Sequence, residues 1–174
     1  MTPEQRTDLV DALEKSRQEF QDAVAGVNEE QAGAKPDPAR WSVLECVEHV
    51  TVVEEIFLSR LETAPRLESP RVDKQREADL AARVPDRTNR AEAPERVRPT
   101  GRFTSLAEAM DGFHTARTRT LRFAEDRAAD LYSLSLEHPR FGSLNGAEFL
   151  VLIAGHARRH AAQIQEAKSV LGIS

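Results

Sequence analysis

Apolar residues recur about every three to four positions in four long segments, a spacing that places them on one face of an α-helix. These segments predict helices over residues 3–25, 42–63, 104–127 and 145–171. Three of the four starts carry capping boxes, in the pairs Thr2 and Gln5, Ser42 and Glu45, and Asn145 and Glu148. At the third helix we expect Thr104 to be the cap. Without a clear strand pattern, four amphipathic helices predict an all-α fold, a four-helix bundle.

The stretch between the second and third predicted helices, residues 66–102, is long and irregular. It is rich in proline and arginine and poor in core-forming residues, with one short helix predicted from Lys74 to Arg83. We therefore expect a long crossover connection inside a single domain of residues 1–174, and a disordered linker is the alternative. Asn28 is placed to cap one short turn, and the linker from Tyr132 to Asn145 has room for a short extended piece.

Charge and composition argue against nucleic acid and membranes as partners of the protein. The net charge is −5 and the two signs are interleaved, so the sequence shows no basic field for nucleic acid or for an anionic membrane. No apolar run approaches the roughly 20 residues that span a bilayer. The polar first residues do not read as a secretory signal. With a single cysteine, Cys46, no internal disulfide forms, and we expect a cytoplasmic protein.

Two of the five histidines, His156 and His160, lie four residues apart on the apolar stripe of the fourth predicted helix. Side chains at this spacing share one helix face and can hold one metal ion, although the pair can also arise by chance. His49 lies beside apolar neighbours on the second predicted helix and is the natural third ligand. Three imidazoles suit zinc, nickel and related ions, and leave coordination positions open to water or substrate.

The other polar candidates have plainer alternatives. Glu45 lies one turn before His49 and can orient its second ring nitrogen, but we favour a role in the capping box alone. Cys46 is expected to be a small buried side chain, and it is also the nearest candidate for a fourth ligand in a purely structural site. His114 lies off the apolar stripe of its helix, and His138 is expected to be solvated in a loop.

Several short motifs occur together in a fixed order along the chain. They are Trp41-Ser42 at a helix start, Glu45, His49, Pro99-x-Gly101-x-Phe103, the turn Phe141-Gly142-x-Leu144, and His156-x-x-Arg159-His160-x-x-Gln163-Ile164. In these motifs the chain resembles the DinB-like superfamily, in the branch that includes metal-dependent hydrolases and bacillithiol transferases. The resemblance implies a four-helix bundle of DinB type and frequent homodimers. It also implies a divalent metal, most often nickel or zinc, held by His49, His156 and His160.

The resemblance leaves the activity open between two classes. As an enzyme, the protein would use the metal to lower the pKa of a low-molecular-weight thiol or of water, giving a thiolate or hydroxide nucleophile that attacks a small-molecule substrate. Neutral imidazoles leave the site positively charged, which favours transfer of a thiol to an electrophile over hydrolysis. Arg159, at the border of the site, is a weak candidate for holding a carboxylate of the thiol. The alternative is a non-catalytic bundle with a structural metal.

Overall fold

The computed structural model describes residues 1–88 and 92–173, and four long helices dominate this part of the chain. In chain order the helices are α1 (Pro3–Val24), α2 (Glu29–Gly33), α3 (Val43–Glu62), α4 (Lys74–Arg83), α5 (Leu106–Asp126) and α6 (Gly146–Leu171). The four long helices and the short ones at Asn28 and Lys74 confirm the predicted elements. Within the described ranges, none of these helices combines the length and the apolar character needed to cross a membrane.

Local capping interactions explain where the long helices begin. The three predicted capping boxes, headed by Thr2, Ser42 and Asn145, are all present. The prediction for the third helix is wrong by one residue, because the hydroxyl of Ser105 accepts the backbone N–H of Glu108 at 3.1 Å. Thr104 instead donates its own N–H to the Glu108 carboxylate at 2.9 Å. Of the two adjacent hydroxyl residues, only Ser105 has an acidic residue at the third position after it.

Each long helix packs against two others, so the four form a bundle. Helix α1 lies against α5 and α6, and α3 lies against the same two helices. One half of the core contains Leu13, Leu58 and Phe149, and the other half contains Phe20 and Phe113. This arrangement confirms the predicted four-helix bundle. That the connection between α3 and α5 crosses over the bundle stays a prediction, and its residues 89–91 lie outside the described ranges.

The connection is attached to α6 through its short helix. Helix α4 packs on α6, and its end approaches the α6 backbone at Gly155. A Cβ atom on Gly155 would lie only 2.8 Å from the Cβ of Val84. The absence of a side chain at Gly155 is therefore what allows this close approach, directly beside His156.

The linker before α6 contains a two-stranded antiparallel hairpin. Strand β1 (Leu136–His138) pairs with strand β2 (Gly142–Leu144), with Leu136 opposite Leu144. Both of these leucines are buried, so the hairpin is held to the bundle by its apolar side. The short extended piece expected in this linker is confirmed.

A buried ion pair joins three of the long helices. The Arg117 guanidinium on α5 is fully buried and donates to both oxygens of Glu54 on α3, at 2.7 and 2.9 Å. It also donates to the Leu13 carbonyl and the Ser16 hydroxyl of α1, each at 2.7 Å. Because every charged atom has a partner, this pair ties α1, α3 and α5 together inside the core.

Candidate metal centre

The side chains of His49, His156 and His160 meet between α3 and α6. Each of the three residues has a ring nitrogen that lies within 4.8 Å of a ring nitrogen of the other two. No aspartate, glutamate or cysteine of residues 1–88 and 92–173 joins this group. The three histidines named from the sequence are therefore brought together, without a fourth protein ligand from the described part of the chain.

The spacing of the nitrogens suits a shared metal ion. Nε2 of His49 lies 3.2 Å from Nε2 of His156, and the His160 ring centroid lies 4.6–4.7 Å from those of the other two. Two nitrogens bound tetrahedrally to zinc at about 2.0–2.1 Å are separated by about 3.3 Å. The separation of the His49 and His156 nitrogens is close to that value, so these two donors fit a zinc-sized ion, with a His160 nitrogen within 4.8 Å of both.

The ring of His49 is oriented by a backbone carbonyl from the long connection. Its Nδ1 lies 2.7 Å from the carbonyl oxygen of Val97, in a single 3₁₀ turn formed by Glu95–Val97. Glu45 does not make this contact, because its carboxylate accepts the backbone N–H of Ser42 at 2.8 Å and lies 2.8 Å from Lys35 Nζ. The capping role favoured for Glu45 is confirmed, and its orienting role is wrong.

Burial keeps the three imidazoles neutral. It lowers the pKa of His49, and it lowers the pKa of His156 and His160 well below the usual histidine value. The neighbouring histidines lower the last two pKa values further, since two imidazolium ions would repel each other. A neutral imidazole has the lone pair that a metal ligand needs.

One ring nitrogen of the site has no protein partner. Nδ1 of His160 is buried and makes no hydrogen bond within the described residues. A buried polar atom without a partner is costly. This orphaned nitrogen fits a site that is completed by something other than the protein.

An aromatic ring and two cations surround the histidines. Trp41, just before α3, packs against the His49 ring at 4.7 Å and stacks on the His160 ring at 6.1 Å between centroids. Arg159 donates to the backbone carbonyl of Asp86, and its charge and that of Arg87 both lower the His160 pKa. The surroundings therefore add positive charge to the site.

Arg158 and Cys46 lie close in sequence to the histidines, but neither belongs to the group. Arg158 turns away from the site, with its Nε 2.7 Å from Glu19 of α1. Cys46 is fully buried, and burial raises the pKa of its thiol to about 12. The prediction that Cys46 is a small buried side chain is confirmed.

The two remaining histidines lie outside the group. His114 contacts Gln21 through its ring nitrogen at 3.3 Å. His138 lies on β1, half-buried, with its ring 5.9 Å from that of Phe57 and 5.0 Å from that of Phe141. The expectation that His138 is a solvated loop residue is wrong, because the hairpin folds it against these aromatic rings.

Fold and site together define a four-helix bundle that carries a three-histidine candidate metal centre between two of its helices. The chain belongs to the DinB superfamily, whose family model matches residues 12–164. It is 23% identical over 158 residues to YuaE, an uncharacterised protein of Bacillus subtilis (strain 168), covering 88% of this chain and 93% of that protein.

Two solved structures share the fold. One is YfiT from Bacillus subtilis, described as a probable metal-dependent hydrolase with an unusual four-helix bundle topology. It has a TM-score of 0.65 and 16% identity, over 100% of this chain and 91% of that chain. The other is a conserved protein from Enterococcus faecalis, with a TM-score of 0.67 and 17% identity over 99% of both chains. At these identities the likeness concerns the fold alone.

Proposed function

We propose that the protein is a metal-dependent enzyme, in which His49, His156 and His160 hold one divalent ion and a low-molecular-weight thiol is activated for transfer to an electrophile. The observation that carries this proposal is a cluster of three neutral imidazoles, with His49 and His160 buried and His156 partly exposed, without a fourth ligand from the described residues. Structural zinc sites usually have four protein ligands, whereas catalytic sites have three and keep one position open.

Three features of the chain orient and enclose the three histidines. Val97 fixes the His49 ring, the spacing within α6 places His156 and His160 one turn apart, and the stacked Trp41 ring shields one side of the cluster. When bound, a nickel or zinc ion would supply Lewis acidity, which lowers the pKa of a thiol or of water. Burial of the cluster strengthens every electrostatic interaction inside it.

The charge of the site favours an anionic nucleophile. None of the three donors carries a negative charge, and the nearby charges of Arg159 and of Arg87, which is itself paired with Glu166, lower the pKa of His160. A thiolate suits this environment, and we propose that Arg159, which also donates to the Asp86 carbonyl, attracts a carboxylate of the thiol or of the substrate. The proposal further includes a small-molecule substrate, a homodimer, which the family resemblance implies, and a cytoplasmic location, which the single cysteine and the polar first residues favour.

Hydrolysis is the second candidate function, and it uses the same three histidines. It is supported by the fold likeness to YfiT, which is described as a probable metal-dependent hydrolase. In this version water takes the place of the thiol. A non-catalytic bundle with a structural metal has less support, since Cys46, the nearest candidate for a fourth ligand, is not in the group.

Cobalt substitution tests the proposal directly. We expect the cobalt-loaded Cys46→Ser protein to develop a sulfur-to-metal charge-transfer band in the near ultraviolet when a physiological thiol is added. Removing Cys46 ensures that the band cannot come from the protein's own sulfur. We also expect thiol consumption with a suitable electrophile to require all three histidines. Absence of the band together with metal-dependent cleavage of an ester or amide would favour the hydrolase, and absence of any turnover would favour the structural metal.

A further inference from the structure

A buried carboxylate lies next to the ligand His49 in the chain. Glu48 on α3 is only 2% exposed and accepts four hydrogen bonds from the connection. Its donors are the backbone N–H groups of Thr100, Gly101 and Arg102, at 2.6, 3.1 and 3.1 Å, and the Thr100 hydroxyl at 3.2 Å. The carboxylate therefore holds three consecutive peptide groups in a tight turn.

The same segment, residues 95–102, also contacts His49 itself. The Val97 carbonyl that binds His49 Nδ1 lies three residues before Thr100. Adjacent residues of α3 thus contact the 95–102 segment at two points, one through a carboxylate and the other through a ring nitrogen.

The contact with Val97 determines which nitrogen of His49 carries the proton. A carbonyl oxygen only accepts hydrogen bonds, so Nδ1 of a neutral His49 must be the N–H donor. Nε2 then carries the lone pair, and this is the atom that lies 3.2 Å from Nε2 of His156. The position of the Val97 carbonyl therefore decides whether His49 presents the correct nitrogen to a metal.

We propose that Glu48 is a positioning residue for the metal centre: its carboxylate anchors the 95–102 segment so that Val97 fixes the tautomer and the direction of His49. The expected effect of Glu48 on metal affinity rests on the proposed metal site. The expected effect on the His49 tautomer does not, because it exists without a metal. A glutamine cannot replace Glu48, since its amide group would direct N–H donors toward the N–H donors of the turn.

Glu55 provides a matched control on the same helix. Its carboxylate binds the Arg102 side chain at 2.5 and 3.0 Å, so it also contacts the 95–102 segment. This pair lies partly exposed, and it joins Glu55 to the side chain of Arg102 instead of to the backbone N–H groups of the turn. Loss of Glu55 removes a charge and an ion pair from the same segment, but leaves the turn around Glu48 in place.

The test compares Glu48→Gln with Glu55→Gln in the full-length, tag-free chain. We expect Glu48→Gln to weaken zinc binding by about 10–100-fold, measured by competition with a chelator, as is typical when the partner of a metal-binding histidine is lost. Nitrogen-15 histidine NMR, recorded before and after zinc is added, should show a protected Nδ1–H for His49 in the wild type and its loss in Glu48→Gln. Glu55→Gln should resemble the wild type in both measurements.

A second variant changes the backbone of the turn itself instead of the carboxylate that binds it. Gly101 has a φ of +80°, and a Cβ added there would meet no atom within 4 Å. Gly101→Ala therefore strains the turn without a steric clash, and it should reproduce both effects even if Glu48→Gln fails to fold. Wild-type zinc affinity and a retained His49 Nδ1–H in either folded variant would overturn the proposal. If the wild type itself bound no zinc, the proposed function would fail, and the NMR comparison alone would decide the role of Glu48.

Discussion

Nε2 of His49 lies 3.2 Å from Nε2 of His156, although the two residues are 107 positions apart in the chain. With its Nδ1 hydrogen-bonded to Val97, a neutral His49 directs a lone pair toward His156. Two lone pairs at this distance repel each other unless a proton or a cation lies between them. In the metal-free protein the Nε2–H tautomer of His156 supplies that proton, whereas a shared metal ion would take the lone pairs of both nitrogens.

The stability of the protein should fall as the pH drops below about 6.5. Burial lowers the folded-state pKa of the three histidines, whereas the unfolded chain takes up protons near the ordinary value of about 6.5. Below that pH the unfolded state binds more protons than the folded state, so the free energy of unfolding decreases, by up to about 1.4 kcal/mol per pH unit for one buried histidine such as His160.

Urea unfolding of the metal-free protein between about pH 7.5 and pH 5.5 measures this effect. His160→Gln removes one of the buried titrating groups, so its stability should depend less steeply on pH than that of the wild type. A free energy of unfolding that stays level or rises as the pH falls through this range would contradict the proposed burial of neutral imidazoles.

Removal of one partner of the buried ion pair should destabilise the bundle strongly. Glu54→Gln leaves the Arg117 guanidinium buried without its counter-charge, which costs about 3–5 kcal/mol for a pair of this kind. Glu62→Gln is the control, because Glu62 pairs with Arg119 at the surface and such pairs contribute at most about 1 kcal/mol. Equal denaturation midpoints for the two variants would show that the buried pair does not join the helices as described.

The thiol of Cys46 should not react in the folded protein. Burial raises its pKa to about 12, so almost no thiolate exists at neutral pH and reagents cannot reach the sulfur. A chromogenic disulfide reagent should leave the native chain unlabelled and label one thiol per chain in urea. Rapid labelling of the native protein would contradict this, and would also identify Cys46 as a competing nucleophile in thiol-transfer assays.

Gly155→Ala should loosen the contact between α6 and the end of α4. The new methyl group would lie 2.8 Å from the Val84 Cβ, so one of the two backbones must move, at a typical cost of about 1–3 kcal/mol. Gly33→Ala is a suitable control, since a Cβ atom there would meet nothing within 4 Å. Similar thermal midpoints for both variants would mean that α4 does not pack this closely on α6.

The features predicted correctly from the sequence are those encoded locally. The apolar spacing and the capping boxes predict each long helix to within two residues at either end, because both signals act within one or two turns. The stripe positions of His156 and His160, with the motif around His49, predict which histidines meet. Even so, the prediction of Thr104 as the third cap is wrong, although the acidic residue three positions after Ser105 is a signal present in the sequence.

The features missed from the sequence depend on contacts between distant segments. The Val97 group that orients His49 is a backbone carbonyl, which any residue has, so no residue type marks it. Glu48 looks like an ordinary charged helix residue until the 95–102 segment folds over it. The pairing of Glu54 with Arg117 also cannot be predicted from the sequence, because it depends on which faces of α3 and α5 meet.

The most direct test of the account is the metal content of the chain purified without a histidine tag. Elemental analysis should find about one divalent ion per chain in the wild type, as expected for one three-histidine site. His49→Ala, His156→Ala and His160→Ala should each lose most of it, while His114→Ala, which removes a histidine outside the group, should keep it. An unchanged metal content in folded His160→Ala would contradict the assignment of the metal centre.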